Sequence, residues 1–170
     1  MQKRRGFTLI ELLVVIAIIG LLATLAVIAV SSARVKARDA RRISDIKQVQ
    51  SALELYAVSN SGYPGALLLE LGINTEGNEA ECLNDSGFVK EADCDSGGSV
   101  YMRVVPKYPS PPEGWYEYYG KDDSTGGIGS CAQAAAPCVD YGIQFILESG
   151  VGDLPGSTVC TATSSGITCG

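Results

Sequence analysis

Between Phe7 and Val30 the chain runs FTLIELLVVIAIIGLLATLAVIAV, 24 residues that hold one charge, Glu11. About 20 apolar residues in a helix cross the hydrocarbon core of a bilayer, so this run is long enough to do so. An ordinary secretory signal fits less well. Its apolar region is about 7–15 residues long and ends at a small-residue cleavage site, whereas Ala29-Val30-Ser31 is only a fair site. A plain single-pass anchor accounts for the length but not for Glu11. A carboxylate at the centre of a membrane helix costs about 2.5–3.5 kcal/mol on insertion, and less near the edge where Glu11 lies. Such an acid either has a partner or snorkels to the interface. The preceding Lys3, Arg4 and Arg5 put the N-terminus in the cytoplasm by the positive-inside rule.

The remainder of the 170 residues divides sharply. Residues 1–57 carry 9 Lys/Arg and 4 Asp/Glu, a net of +5, whereas residues 58–170 carry 4 and 15, a net of −11. All seven Pro lie at or after Pro64 and all six Cys between Cys82 and Cys169. No Gly or Pro interrupts the chain between Gly20 and Gly62. Past Val30, Ile43, Ile46, Val49, Leu53, Tyr56 and Ala57 recur at spacings of three and four, the period of an amphipathic helix. The pattern predicts one helix from about Phe7 to about Asn60, roughly 80 Å long at 1.5 Å per residue. Arg34, Lys36, Arg38, Arg41 and Arg42 flank the apolar run on its exported side, against the positive-inside tendency. They read either as a solvated face or as a surface for lipid phosphates and acidic neighbours.

The segment Arg5-Gly6-Phe7-Thr8-Leu9-Ile10-Glu11-Leu12 closely resembles the class III signal of type IV prepilins and type II secretion pseudopilins. In that family a basic leader ends in Gly. A prepilin peptidase cuts after it on the cytoplasmic face and methylates the new N-terminal Phe, and a Glu four residues on stays in the membrane. The resemblance implies cleavage between Gly6 and Phe7, N-methylation of Phe7, and pairing of Glu11 with the N-terminal amine of a neighbouring subunit during assembly. It extends through Ile46-x-x-Val49-x-x-Ala52-Leu53-x-x-Tyr56 and Asn60-Ser61-Gly62-Tyr63-Pro64, which look like the end of the long pilin helix. Tyr56 and Tyr63 would there clamp a small domain against it. Many relatives carry a Pro further along this helix. Here Gly20 is the one breaker available.

The fold expected is α+β and pilin-like: a long N-terminal helix, half membrane-spanning and half amphipathic, packed on a small antiparallel sheet. The expected units are a leader at 1–6, a transmembrane half at 7–30, an amphipathic half at 31–60 and an exported domain at 61–170. Within that domain, Gly65–Gly72 reads as a short second helix, residues 74–99 as irregular and Val104–Gly114 as a Pro-rich connector. Trp115–Tyr119 and Val139–Leu147 read as strands, the second with Val139, Tyr141, Ile143, Phe145 and Leu147 on one face. Thr158–Ala162 and Gly166–Gly170 form a terminal hairpin about Ser164-Ser165. Its two-residue turn sets Cys160 opposite Cys169 as a non-hydrogen-bonded pair. Six Cys in an exported domain suggest three disulfides out of 15 connectivities. The nearest-neighbour set is Cys82–Cys94, Cys131–Cys138 and Cys160–Cys169.

Other chemistry is thinly represented. The chain has no His, which removes the usual general base and every His-ligated metal site. With no C-x-x-C either, no zinc site or other cofactor is expected. The net charge of −6 lacks the basic footprint of a nucleic-acid binder. Asp122-Asp123 fall in a loop where some major pseudopilins bind Ca²⁺, though two acids fall short of its six or more oxygens. Asn84-Asp85-Ser86 fits a glycosylation sequon. The expected role is a filament subunit and not an enzyme. Its partners would be identical or related subunits, prepilin peptidase, a membrane assembly platform and the bilayer. It would be single-pass in the inner membrane with its domain outside the cytoplasm, then part of a periplasmic or extracellular filament. A membrane-anchored binding or adhesion module that does not polymerise is the alternative, and surface pilus against secretion pseudopilus stays open.

Overall fold

The computed structural model describes residues 6–75, 78–110, 113–122, 128, 131 and 137–170. One helix, α1, runs from Leu9 to Asn60, close to the predicted span. It starts two residues later than expected because Thr8 is the N-cap, in extended conformation. It ends where Ser61 takes the left-handed conformation (φ 61°), with Gly62 and Pro64 just beyond. Two different helices are joined without a break. From Gly6 to Arg34 every residue is exposed, and the most apolar stretch buries nothing against the rest of the chain. From Asp39 onward one face is buried, through Ile46, Val49, Ala52, Leu53 and Tyr56.

Most of the strands are short, and those longer than three residues all belong to one sheet. They are β1 (Leu69–Glu70), β2 (Asn74–Thr75), β3 (Asn78–Glu79), β4 (Cys82–Asn84), β5 (Gly87–Val89), β6 (Val100–Met102), β7 (Glu117–Lys121), β8 (Asp140–Ile146), β9 (Gly150–Val151), β10 (Leu154–Pro155), β11 (Val159–Thr163) and β12 (Gly166–Cys169). The main sheet has the order β1-β7-β8-β11-β12, and all its pairings are antiparallel. Its inner face carries Tyr118, Tyr141, Ile143, Phe145, Cys160 and Ala162, all buried in one core with the helix residues Ile46 to Tyr56. Period-2 alternation meets period-3.6 spacing there, and both apolar faces leave water together.

Four expectations need correction. Gly65–Gly72 is not a helix: Leu69 and Glu70 pair with Tyr118 and Glu117, and Leu71 N–H donates to Tyr116 O. An eight-residue segment between two glycines is too short to hold a helix alone, and the sheet edge satisfies its backbone instead. Residues 74–99 are not irregular throughout, since β4 sits between β5 and β6 in a second sheet. The Tyr-rich strand lies at Glu117–Lys121, two residues later than read, leaving Trp115 outside it and exposed. Val139 lies just before β8 and is exposed, whereas Tyr141, Ile143, Phe145 and Leu147 are buried on one face. The terminal hairpin follows the reading: Thr163 pairs Gly166 around Ser164-Ser165, and Cys160 faces Cys169.

Candidate functional site

The N-terminal end of α1 is organised by one reciprocal cap. Thr8 Oγ1 accepts from Glu11 N–H at 3.3 Å, while Thr8 N–H and Oγ1–H both donate to Glu11 Oε2, at 3.0 and 2.8 Å. This is a capping box, in which two orphan helix donors are satisfied together. It also fixes the carboxylate over the first turn, where the helix dipole favours negative charge. The motif as read from the sequence gives a role to Glu11 and none to Thr8. The Thr-x-x-Glu spacing ahead of an apolar run was the available signal. Among the described residues Oε1 of Glu11 takes no hydrogen bond. Phe7 is 79% exposed, and an added Cβ at Gly6 would meet nothing. The Gly6–Phe7 bond and the free carboxylate oxygen thus lie on an open end of the helix. Lys3, Arg4 and Arg5 lie outside the described residues.

A second polar cluster joins α1 to the domain at the edge nearest the apolar run, and of its contacts only the Asp39–Arg42 pair has the i,i+3 spacing that a sequence signals. Asp39 is fully buried and accepts from Arg42 Nη1 at 2.7 Å. It also accepts from the backbone N–H of Glu148, Ser149 and Gly150, at 2.8, 2.7 and 3.1 Å, and from the Ser149 hydroxyl at 3.0 Å. Arg42, also fully buried, reaches Glu148 Oε1 at 2.8 Å. Arg38 meets the same carboxylate with two bonds, at 2.8 and 2.6 Å. The five-cation stretch is therefore not one solvated face: its Arg38 and Arg42 are internal counter-ions of the domain. Burial alone would raise the Asp39 carboxyl, but the Glu148 and Ser149 amides, the Ser149 hydroxyl and Arg42 hold it below the usual range. Glu148 is likewise held low, first by the hydrogen bonds it accepts from Arg38 and then by the positive charge of Arg42 beside it. The guanidinium of Arg42 also lies 4.5 Å from the centre of the Tyr108 ring, a cation–π distance.

Tyrosines fasten the rest of the joint. Tyr56 packs edge-on against Tyr101 at 5.5 Å and Tyr63 against Tyr141 at 4.7 Å. Tyr63 Oη donates to the Glu54 carboxylate; burial and that carboxylate push its phenol up to about 12. Deeper in, Tyr116 Oη donates to Asp45 Oδ2 at 3.1 Å. Burial raises the Asp45 carboxyl, against the opposing pull of Tyr116 and Arg41.

The six cysteines form Cys82–Cys94, Cys131–Cys138 and Cys160–Cys169, the neighbouring pairs, with no free thiol. The sequon is closed, because Asn84 is fully buried and its amide donates to Asp93 O and Cys94 O. Asp123 of the Asp122-Asp123 pair lies outside the described residues. Among the described residues no three His, Cys, Asp or Glu side chains are grouped to hold a metal ion.

Comparison with known proteins agrees with this arrangement. The family model for the prokaryotic N-terminal methylation motif matches residues 1–30. The chain is 34% identical to the type II secretion system core protein G of Pseudomonas aeruginosa, over 75% of this chain and 92% of the relative. It is 36% identical to that of Aeromonas hydrophila, over 62% and 78%, and 36% identical to that of Escherichia coli, over 61% and 74%. No solved structure gives a significant match. An N-terminal methylation motif on a bare apolar helix, an antiparallel sheet behind it and about a third of the aligned residues shared along most of these relatives lead to one assignment: the chain belongs to the family of type II secretion system core protein G.

Proposed function

We propose that this chain is a structural subunit of a secretion pseudopilus, polymerised through α1 from a membrane-inserted precursor. The observation that carries the reading is the first half of α1, which is apolar enough to span a membrane and buries nothing within its own chain. Such a surface needs lipid before assembly and other subunits after it. The relatives' role in type II secretion favours the pseudopilus over a surface pilus.

In this reading prepilin peptidase cuts between Gly6 and Phe7 at the cytoplasmic face, removes Lys3, Arg4 and Arg5, and methylates Phe7. The new α-amine, with an ordinary pKa of roughly 7.7–8.0, is mainly cationic at neutral pH. Thr8 binds only one oxygen of Glu11, so the other oxygen can accept the amine of the next subunit. Opposite charges attract far more strongly in a low-dielectric core than in water, which makes the pair a means of setting register. The disulfide-bearing domain faces out of the cytoplasm and coats the filament. The working partners are further subunits, the peptidase and the assembly platform.

The test has two parts. The intact mass of purified mature protein should match a chain beginning at methylated Phe7. Glu11→Ala should leave the precursor membrane-inserted and cleaved, with filament yield at least tenfold lower. Normal filament yield from Glu11→Ala, or a mature chain that keeps Met1, refutes the proposal.

A further inference from the structure

The five cations beyond the apolar run do not share one fate. Arg38 and Arg42 are neutralised by Glu148 and Asp39, and Arg41 lies 3.9 Å from Asp45. Arg34 and Lys36, the two nearest the membrane segment, are exposed and make no ion pair among the described residues. They follow Val30 by four and six residues, about 6 and 9 Å along a helix, within and just beyond a headgroup layer of about 5–8 Å. On the side of α1 that carries Arg34, Ala26, Val27, Val30, Ser31, Val35 and Arg38 line with it a groove of about 590 Å³. Its membrane-side floor is apolar, and its upper rim carries a hydroxyl and an unpaired guanidinium.

We propose that Arg34 and Lys36, on different sides of α1, each bind the phosphate of an anionic phospholipid in the exported leaflet, the lipid at Arg34 laying an acyl chain along Val27 and Val30. This rests on the membrane-inserted precursor of the previous section. Positive charge on the exported side of a span runs against the usual topology bias. The domain supplies the counter-charge for Arg38 and Arg42, and lipid supplies it for the two cations the domain does not reach. A guanidinium forks two donors onto a phosphate, and Ser31 adds a hydroxyl beside it. The side chains of Arg34 and Lys36 are long enough to reach down to the phosphate layer while their stems cover apolar surface.

The test uses the full chain reconstituted in lipid bilayers that hold phosphatidylglycerol and phosphatidylcholine in equal amounts. Spin-labelled lipids report which headgroup is held at the protein surface. The expected result is enrichment of phosphatidylglycerol by about fivefold for each engaged side chain, as for a basic residue at an anionic surface. Arg34→Gln with Lys36→Gln should bring the ratio near one. Lys47→Gln, an exposed cation some 16 Å further along the helix, should leave it unchanged. Added inorganic phosphate should not compete, because the acyl chain is part of the occupant. An unchanged ratio in the Arg34→Gln, Lys36→Gln protein, or competition by free phosphate, overturns the lipid site while leaving the membrane precursor standing. A chain that alkaline carbonate extracts from the bilayer overturns both.

Discussion

Replacing Asp39 by Ala tests the joint between helix and domain. Asp39 is fully buried and accepts five hydrogen bonds, four of them from residues 148–150 and one from Arg42. Its loss leaves Arg42 buried with Glu148 as its one remaining carboxylate and strips the acceptor from three backbone N–H groups. Removing one partner of a buried ion pair costs about 3–5 kcal/mol. For a chain of this length each kcal/mol lowers the melting temperature by about 2–4 °C, so a fall of about 10 °C is expected. The assay is thermal unfolding of the full chain in detergent, followed by the near-ultraviolet signal of its buried tyrosines. The pH dependence has a definite sign. Asp39 and Glu148 are both held below the ordinary carboxylate range when folded. Their stabilisation is therefore complete above about pH 5 and lost as pH falls through the folded values. Asp39→Ala should give a shallower loss of stability between pH 5 and pH 3 than the parent. Adding Arg42→Met should restore part of the stability, because no buried charge is then left without its partner. A melting temperature within 2 °C of the parent, with an unchanged acid slope, would show that the joint holds without this network.

Further outcomes follow from single contacts. Tyr116→Phe removes the hydroxyl that satisfies the buried Asp45, and a cost of about 1–3 kcal/mol should appear as a lower urea midpoint. Gly72→Ala should destabilise by at least 1–3 kcal/mol in the same assay: φ is +74° and a Cβ would come within 2.8 Å of the Lys107 Cα and Pro106 carbonyl. Replacing Cys160 and Cys169 by Ala opens a loop of about ten residues and should cost about 2–3 kcal/mol, read as a lower melting temperature under non-reducing conditions.

The parts of this protein that were legible in its sequence are those with a local period or a local motif. The span of α1 could be read because apolar spacing, absent breakers and the Ser61-Gly62 stop all lie within one segment. The Cys160–Cys169 pair could be read because a two-residue turn fixes which residues face each other. The Asp39 joint could not, since its partners other than Arg42 stand 109 to 111 positions away and three of the five bonds it accepts come from backbone amides, which carry no residue signature. Leu69–Glu70 departs from the expected helix for a related reason: a short apolar segment takes its conformation from the strand it meets, here Glu117–Tyr118. Arg42 carries the same side chain as its exposed neighbour Arg41, but it lies on the face of α1 that meets Asp39, Glu148 and the Tyr108 ring.

The unequal grip on α1 has a mechanical consequence. The domain holds the helix from Arg38 onward, so Leu9 to Ala37 form a bare shaft about 43 Å long at 1.5 Å per residue. A pull on that shaft enters the domain first at Arg38 and Asp39, whose bonds are short, directional and clustered at one edge. The apolar contacts from Ile46 to Tyr56 take up the load only after that edge has yielded. Extraction from a membrane and tension along a filament would both test the same few bonds, and the chain's resistance to being dragged out of its own domain would be set at residues 38 and 39.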